Sequence, residues 1–169
     1  MFKNLYSKKV IKHFKKPKNM GRIKNPSGIG KVGNLLCGDI MWLYLKVSKD
    51  KKGIEKISNV KFECFGCVVA ISISSMLTDM VKGKSLDKAM KITKDYILRR
   101  TGPLPPIKTH CSVLAADALH EAIYDYLLKS KKSIPKELQK EHERIQHDLK
   151  VIEEKHKDFV KLEEDVFKK

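Results

Sequence analysis

Residues 40–65 constrain the fold more than any other stretch. In Ile40–Ser48 the apolar residues Met41, Leu43, Leu45 and Val47 alternate with Trp42, Tyr44 and Lys46. That period of two belongs to a strand with one buried face. Residues 49–53, Lys-Asp-Lys-Lys-Gly, read as a turn and Ile54–Phe65 as a second strand, which makes an antiparallel hairpin. The alternation sets Val60, Phe62 and Cys64 on the apolar face and Lys61 and Glu63 on the other.

Helical patterns flank the hairpin. Leu5, Val10 (with Ile11) and Phe14 predict an amphipathic helix over 4–16, stopped by Pro17. Residues 17–38 hold two prolines and five glycines and read as loop, with a short strand around Ile29–Val32. Gly66 breaks the second strand. Val69, Ile73, Met76, Leu77 and Met80 predict a mostly buried helix over 67–82, closed by Gly83. A short helix over 85–92 is capped by Ser85, and a longer one over 112–128 by Ser112. Three prolines force 101–108 to be extended.

The chain of 169 residues has room for one cored domain and an appendage, with the division placed at 1–130 and 131–169. Beyond Pro135 a charged helix repeats Leu138, Ile145, Ile152, Phe159 and Val166 every seven residues. The second seam, His142, Leu149, His156 and Glu163, is poor. Such a helix is expected to lie on its own domain or on a partner, with His142, His147 and His156 at the surface.

Net charge is +16, and the first acidic residue is Asp39. Residues 131–169 are nearly neutral, with eleven Lys/Arg against ten Asp/Glu. Aromatic residues are sparse and sit in apolar contexts, so a solvated lysine-rich surface is favoured over nucleic-acid binding. The basic surface also suits acidic partner proteins. The N-terminus lacks the long apolar run of a signal peptide, and the most apolar stretch, near 67–77, is too short and serine-rich to span a bilayer. The chain is expected to be soluble and cytoplasmic, with no membrane partner.

Cysteines stand at 37, 64, 67 and 111. In a reducing compartment they point to metal or thiol chemistry rather than disulfides. Cys37 precedes Gly38 and Asp39 at the start of a strand; Cys67 and Cys111 each open a helix, where unpaired N–H groups stabilise a thiolate. Together they would supply three sulfurs and one nitrogen or oxygen, a set for zinc or for an iron–sulfur cluster with one non-cysteine ligand. Separations of 30 and 44 residues match no finger motif, so scattered buried thiols stay open as the alternative.

Five segments carry a family resemblance: 6–21 (YSKKVIKHFKKPKNMG), 33–41 (GNLLCGDIM), 62–72 (FECFGC and the following VAIS), 81–89 (VKGKSLDKA) and 104–119 (LPPIKTHCSVLAADAL). From about Tyr6 to Tyr126 the chain resembles the IscU-type iron–sulfur cluster assembly scaffolds, the NifU N-terminal-like family. The resemblance implies an α+β fold, a small three-stranded antiparallel sheet packed by helices, with the C-terminal helix added. It implies a scaffold, not an enzyme, that builds a labile 2Fe-2S cluster from iron and cysteine-desulfurase sulfur and passes it to apo iron–sulfur proteins. Cys37, Cys67 and Cys111 would hold the cluster. Asp39 would be the ligand that keeps it labile, and His110 an alternative ligand. Cys111 would accept persulfide sulfur, and Lys108 would pair with Asp39 or the cluster region. Leu104, Pro105, Pro106, Ile107 and Lys108 match the docking motif for a DnaK-class chaperone, which works with a co-chaperone. Zinc would suit the same ligands in purified protein.

The chain departs from the family in three places. Val68-Val69 replaces a small glycine-serine stretch and would narrow and dry the site. Ala116 stands where Glu is common. The helix of 131–169 is an addition that would cover a partner surface or make a homo-oligomer contact. The alternative reading is a zinc-dependent sulfur acceptor of the SufU-like branch; His110, where that branch has Arg, and the absence of an insertion between Cys67 and Cys111 argue against it. Cys64 is expected to face the core, leaving Cys67 as the working thiol of the pair.

Overall fold

The computed structural model describes residues 6–34, 37–155 and 157. Its sheet has three antiparallel strands, β1 (Gly28–Gly33), β2 (Ile40–Lys49) and β3 (Glu55–Phe65), in the order β1-β2-β3. The helices are α1 (Lys8–Lys15), α2 (Val68–Val81), α3 (Leu86–Met90), α4 (Lys94–Thr101), α5 (His110–Lys129) and α6 (Lys136–Lys155). The α+β class and the hairpin are as the sequence predicts.

Register arranges the core face in rows: Gly28–Leu45–Val60, Gly30–Leu43–Phe62 and Val32–Met41–Cys64. Cys64 therefore stands in a core row and packs against the hydrophobic cluster. Near the hairpin end Lys46 faces Asn59 but Val47 faces Ile57, a bulge that takes Ser58 out of step and keeps Ile57 fully buried. Simple alternation would have turned Ser58 inward.

Helix α5 lies directly on β1 because Gly28 and Gly30 put no side chains in its way. A Cβ at Gly28 would stand 2.2 Å from the Ala122 carbonyl oxygen, and one at Gly30 would stand 2.1 Å from that of Ala118. Helix α2 packs beside it over β3. Parts of both sheet edges are bonded by the chain itself. Along β3, Phe62 donates to the Asn19 carbonyl and accepts from the Gly21 amide, while Ile57 donates to Lys84 and accepts from Gly83. Along β1, the Ile29 amide donates to the Asp125 carboxylate.

The structure corrects several boundaries. Helix α1 begins at Lys8, with the Ser7 hydroxyl accepting from the Val10 amide; Leu5 lies outside the described residues. Helix α4, capped by Thr93, has no counterpart in the sequence reading. Pro106–Lys108 closes into a 3₁₀ turn instead of staying extended. Helix α5 starts at His110, so Ser112 is inside it, its hydroxyl donating to the Thr109 carbonyl rather than capping.

Helix α6 lies on its own chain, against α5 and β1. It buries Leu138, Ile145, Leu149 and Ile152; His156, Phe159, Glu163 and Val166 lie outside the described residues. His142 is half-buried rather than free at the surface: its ring stacks on Tyr124 at 3.8 Å and its Nδ1 meets the buried Glu121 carboxylate at 2.8 Å. His147 is exposed. Tyr44 is buried and donates to Glu63, while Trp42 is half-buried.

Candidate metal centre

Three chain segments end at one place: the turn before β2, the β3–α2 junction, and the first turn of α5. At the first, Asn34 organises the backbone. Its side-chain oxygen accepts from the Cys37 amide, its carbonyl from Gly38, and its own amide donates to Asp39. Gly38 has φ +71, a left-handed conformation that glycine adopts without strain. The turn leaves Cys37 exposed and swings the Asp39 carboxyl inward, to 6% exposure.

Gly66 makes room for that carboxyl. A Cβ at Gly66 would stand 2.9 Å from Asp39 Cγ and 3.1 Å from the Ala70 side chain. Cys67 follows as the residue that caps α2, and its sulfur lies 3.9 Å from that of Cys111, which is 1% exposed. Of the Val68–Val69 pair, Val69 is fully buried in the core.

The two thiols are coupled across their 3.9 Å contact, and the amides at the start of α2 favour negative charge on Cys67. The hydrogen bond from Cys111, aided by the α2 amides of Ala70 and Val69, brings the Cys67 thiol down to about 5 against its burial. The same bond to Cys67, then burial, drives the Cys111 thiol upward. Burial chiefly raises Cys37 as well. Cys64 is pushed up to about 12 by burial first and then by the charge of Asp39, against a hydrogen bond from Ser74. The Lys108 ammonium is raised, chiefly by the neighbouring Cys67 thiolate.

Donor atoms of Cys37, Asp39 and His110 lie within 4.8 Å of one another, and so do those of Asp39, Cys67 and Cys111. The two sets share Asp39, so three sulfurs, one carboxylate and one imidazole converge from three segments. Asp39 Oδ2 and His110 Nε2 are buried with no hydrogen-bond partner. Leaving such atoms bare costs about 1–3 kcal/mol each, a cost that a bound cation removes.

The family model described as the NifU-like N-terminal domain matches residues 5–133. The chain belongs to that family. It is 50% identical over 128 residues to the iron–sulfur cluster assembly scaffold protein IscU 1 of Archaeoglobus fulgidus, covering 76% of this chain and 80% of that one. It is 45% identical over 124 residues to the IscU scaffold protein of Aquifex aeolicus, covering 73% and 77%. A solved NifU-like N-terminal structure from Brucella abortus shares the fold at 20% identity, with a TM-score of 0.55 over 73% of this chain and 94% of that one.

Within this NifU-like domain every candidate ligand drawn from the sequence, Cys37, Asp39, Cys67, His110 and Cys111, falls in the one cluster. Cys64 does not join either donor set among the described residues. In the Leu104–Lys108 segment, Leu104 packs against the core and Ile107 is 78% exposed. The sequence reading passed over Asn34, whose signal is an Asn at the start of a glycine-containing turn. Among the described residues no helix is long and apolar enough to cross a membrane.

Proposed function

We propose that this NifU-like domain is a scaffold on which a 2Fe-2S cluster is assembled from iron and desulfurase-derived sulfur and then handed to apo-proteins. The observation that carries the reading is the five-donor cluster, in a chain that is 50% identical over 128 residues to an Archaeoglobus assembly scaffold. The cluster is cargo, and the ligand set suits cargo. Four thiolates would hold it firmly; three thiolates with Asp39 or His110 leave one weaker bond for a recipient to displace.

Sulfur arrives as a desulfurase persulfide. A scaffold thiolate attacks its outer sulfur, and the desulfurase thiolate leaves. For Cys111 to be that acceptor, its proton moves to Cys67 across the 3.9 Å contact, with the Lys108 cation beside the pair. The transfer is stoichiometric, so the role is that of a scaffold rather than an enzyme. Exposed Ile107 makes the Leu104–Lys108 segment a handle for a DnaK-class chaperone and its co-chaperone. Zinc is an alternative occupant of the same donors. We read residues 1–130 as the scaffold domain and 131–169 as an addition, in a cytoplasmic protein.

The test is anaerobic reconstitution with iron, cysteine and a desulfurase. Wild type is expected to gain a visible chromophore that a chelator removes, and Cys67→Ser to lose it. A wild-type protein that gains no chromophore, or one that stimulates the desulfurase only with zinc bound, would refute the scaffold reading.

A further inference from the structure

Helix α6 lies past the stretch that the family model covers, yet its far end reaches the metal centre's supports. Polar contacts fix its position along α5. Arg144 meets Asp117 at 2.7 Å, His142 and Gln146 both meet Glu121 at 2.8 Å, and Glu141 meets His120 at 2.7 Å. At the C-terminal end Glu153 pairs with Lys31 of β1 at 3.1 Å. Held in this register, Ile152 and Leu149 land on Gly33. A Cβ there would stand 2.6 Å from Ile152 Cδ1 and 3.3 Å from Leu149 Cδ2.

Gly33 is the last residue of β1 and pairs with Ile40, the residue after Asp39. The next residue is Asn34, which bonds the backbones of Cys37, Gly38 and Asp39. A continuous series of contacts thus runs from Ile152 and Leu149 through Gly33 and Asn34 to two candidate ligands. The opposing ligands, Cys67 and Cys111, are set by the N-terminus of α2 and the first turn of α5; the polar contacts of α6 on α5 fall beyond that turn, at Asp117, His120 and Glu121.

We propose that Leu149 and Ile152 are positioning residues for Cys37 and Asp39. By holding the end of β1 they fix where these two donors stand relative to the Cys67–Cys111 pair. The consequence for cargo, that α6 sets how fast the cluster leaves, rests on the scaffold reading; the positioning itself does not.

The experiment uses the full-length apo protein under reducing, metal-free conditions, with the Ile152→Ala, Ile152→Val and Leu138→Ala variants. Leu138 is also buried, but it lies about 21 Å away along α6. Hydrogen exchange at the Asn34 and Gly38 amides and the alkylation rate of Cys37 are read by mass spectrometry. In Ile152→Ala these rates are expected to rise by about threefold or more, with Ile152→Val between it and wild type. Leu138→Ala is expected to lower the melting temperature while leaving them unchanged. Wild-type rates in both Ile152 variants, or an equal rise in Leu138→Ala, would overturn the proposal. Should Ile152→Ala fail to fold, the graded Ile152→Val result decides. In a second arm the reconstituted cluster is challenged with chelator, and its half-life is expected to shorten in the order wild type, Ile152→Val, Ile152→Ala. If wild type forms no cluster, the scaffold reading fails while the apo measurements still decide the positioning.

Discussion

Replacing Gly30 with alanine tests how the sheet and α5 hold the site together. The new methyl group would stand 2.1 Å from the Ala118 carbonyl oxygen and 2.7 Å from the Ala122 amide nitrogen. Both are backbone atoms of α5 and cannot rotate away. Restoring ordinary contact needs a retreat of about 1 Å by the helix or the strand. Overpacking of this kind costs about 1–3 kcal/mol, with the upper end expected for backbone contacts. The smaller unfolded-state entropy of alanine offsets about 0.4–1 kcal/mol. A net loss of about 2 kcal/mol follows, which for a domain of this size lowers the melting temperature by roughly 4–8 °C. Thermal and urea melts of the apo protein measure it. The same displacement moves the first turn of α5, and with it Cys111, away from the segment that carries Cys37. Cluster yield at a temperature where the variant is still folded is therefore expected to fall as well. A melting temperature within about 1 °C of wild type would show that α5 is not seated on β1 as described.

Four further outcomes are expected. Iodoacetamide at pH 6 should label Cys67 ahead of the other three cysteines, because its thiol alone is lowered, to about 5, and stays ionised above that pH while the raised thiols remain protonated. Cys111→Ala removes the hydrogen bond that stabilises that thiolate, so the pH–rate profile of Cys67 should move upward; an unmoved profile would count against the thiol pair. His142→Ala should cost about 1–3 kcal/mol in urea melts, since it strips buried Glu121 of a partner and Tyr124 of its stacked ring. Cys64→Val, a change of little volume at a core position, should cost less than about 1 kcal/mol and leave the reconstituted spectrum as in wild type; an altered cluster spectrum would make Cys64 a ligand.

The hairpin, the buried helix after Gly66 and the inward turn of Cys64 were legible because period and punctuation are local. Met41, Leu43 and Leu45 alternate against Val60 and Phe62 without interruption, and a strand has no other way to present them. Helix α4 was not legible: in Lys94–Thr101 only Ile97 and Thr101 are buried, too few to mark a face. The start of α5 was misplaced because Ser112 looks like a cap, while the turn that opens the helix is set by Pro105 and Pro106 upstream. The ligand set was read through family likeness, since nothing in the spacing of 37, 67 and 111 shows that they meet. The fit of Ile152 into Gly33 was beyond reach, as it depends on how α6 is registered on α5 by side-chain pairs such as Arg144–Asp117. The partners of His142 were beyond reach for the same reason: its neighbours in sequence are charged, but its neighbours in space are Glu121 and Tyr124.

The partly occupied edges of the sheet limit how any other protein can bind. A strand edge with free amides and carbonyls invites a second chain to add a strand, in recognition or in aggregation. Here the Phe62 and Ile57 backbones are bonded along one side, and the Ile29 amide is held by Asp125 along the other. Strand addition at these positions would first have to displace the chain's own groups. Visitors are thereby directed to side-chain surfaces at turns and helix ends, which is where Cys37, Ile107 and Lys108 are presented.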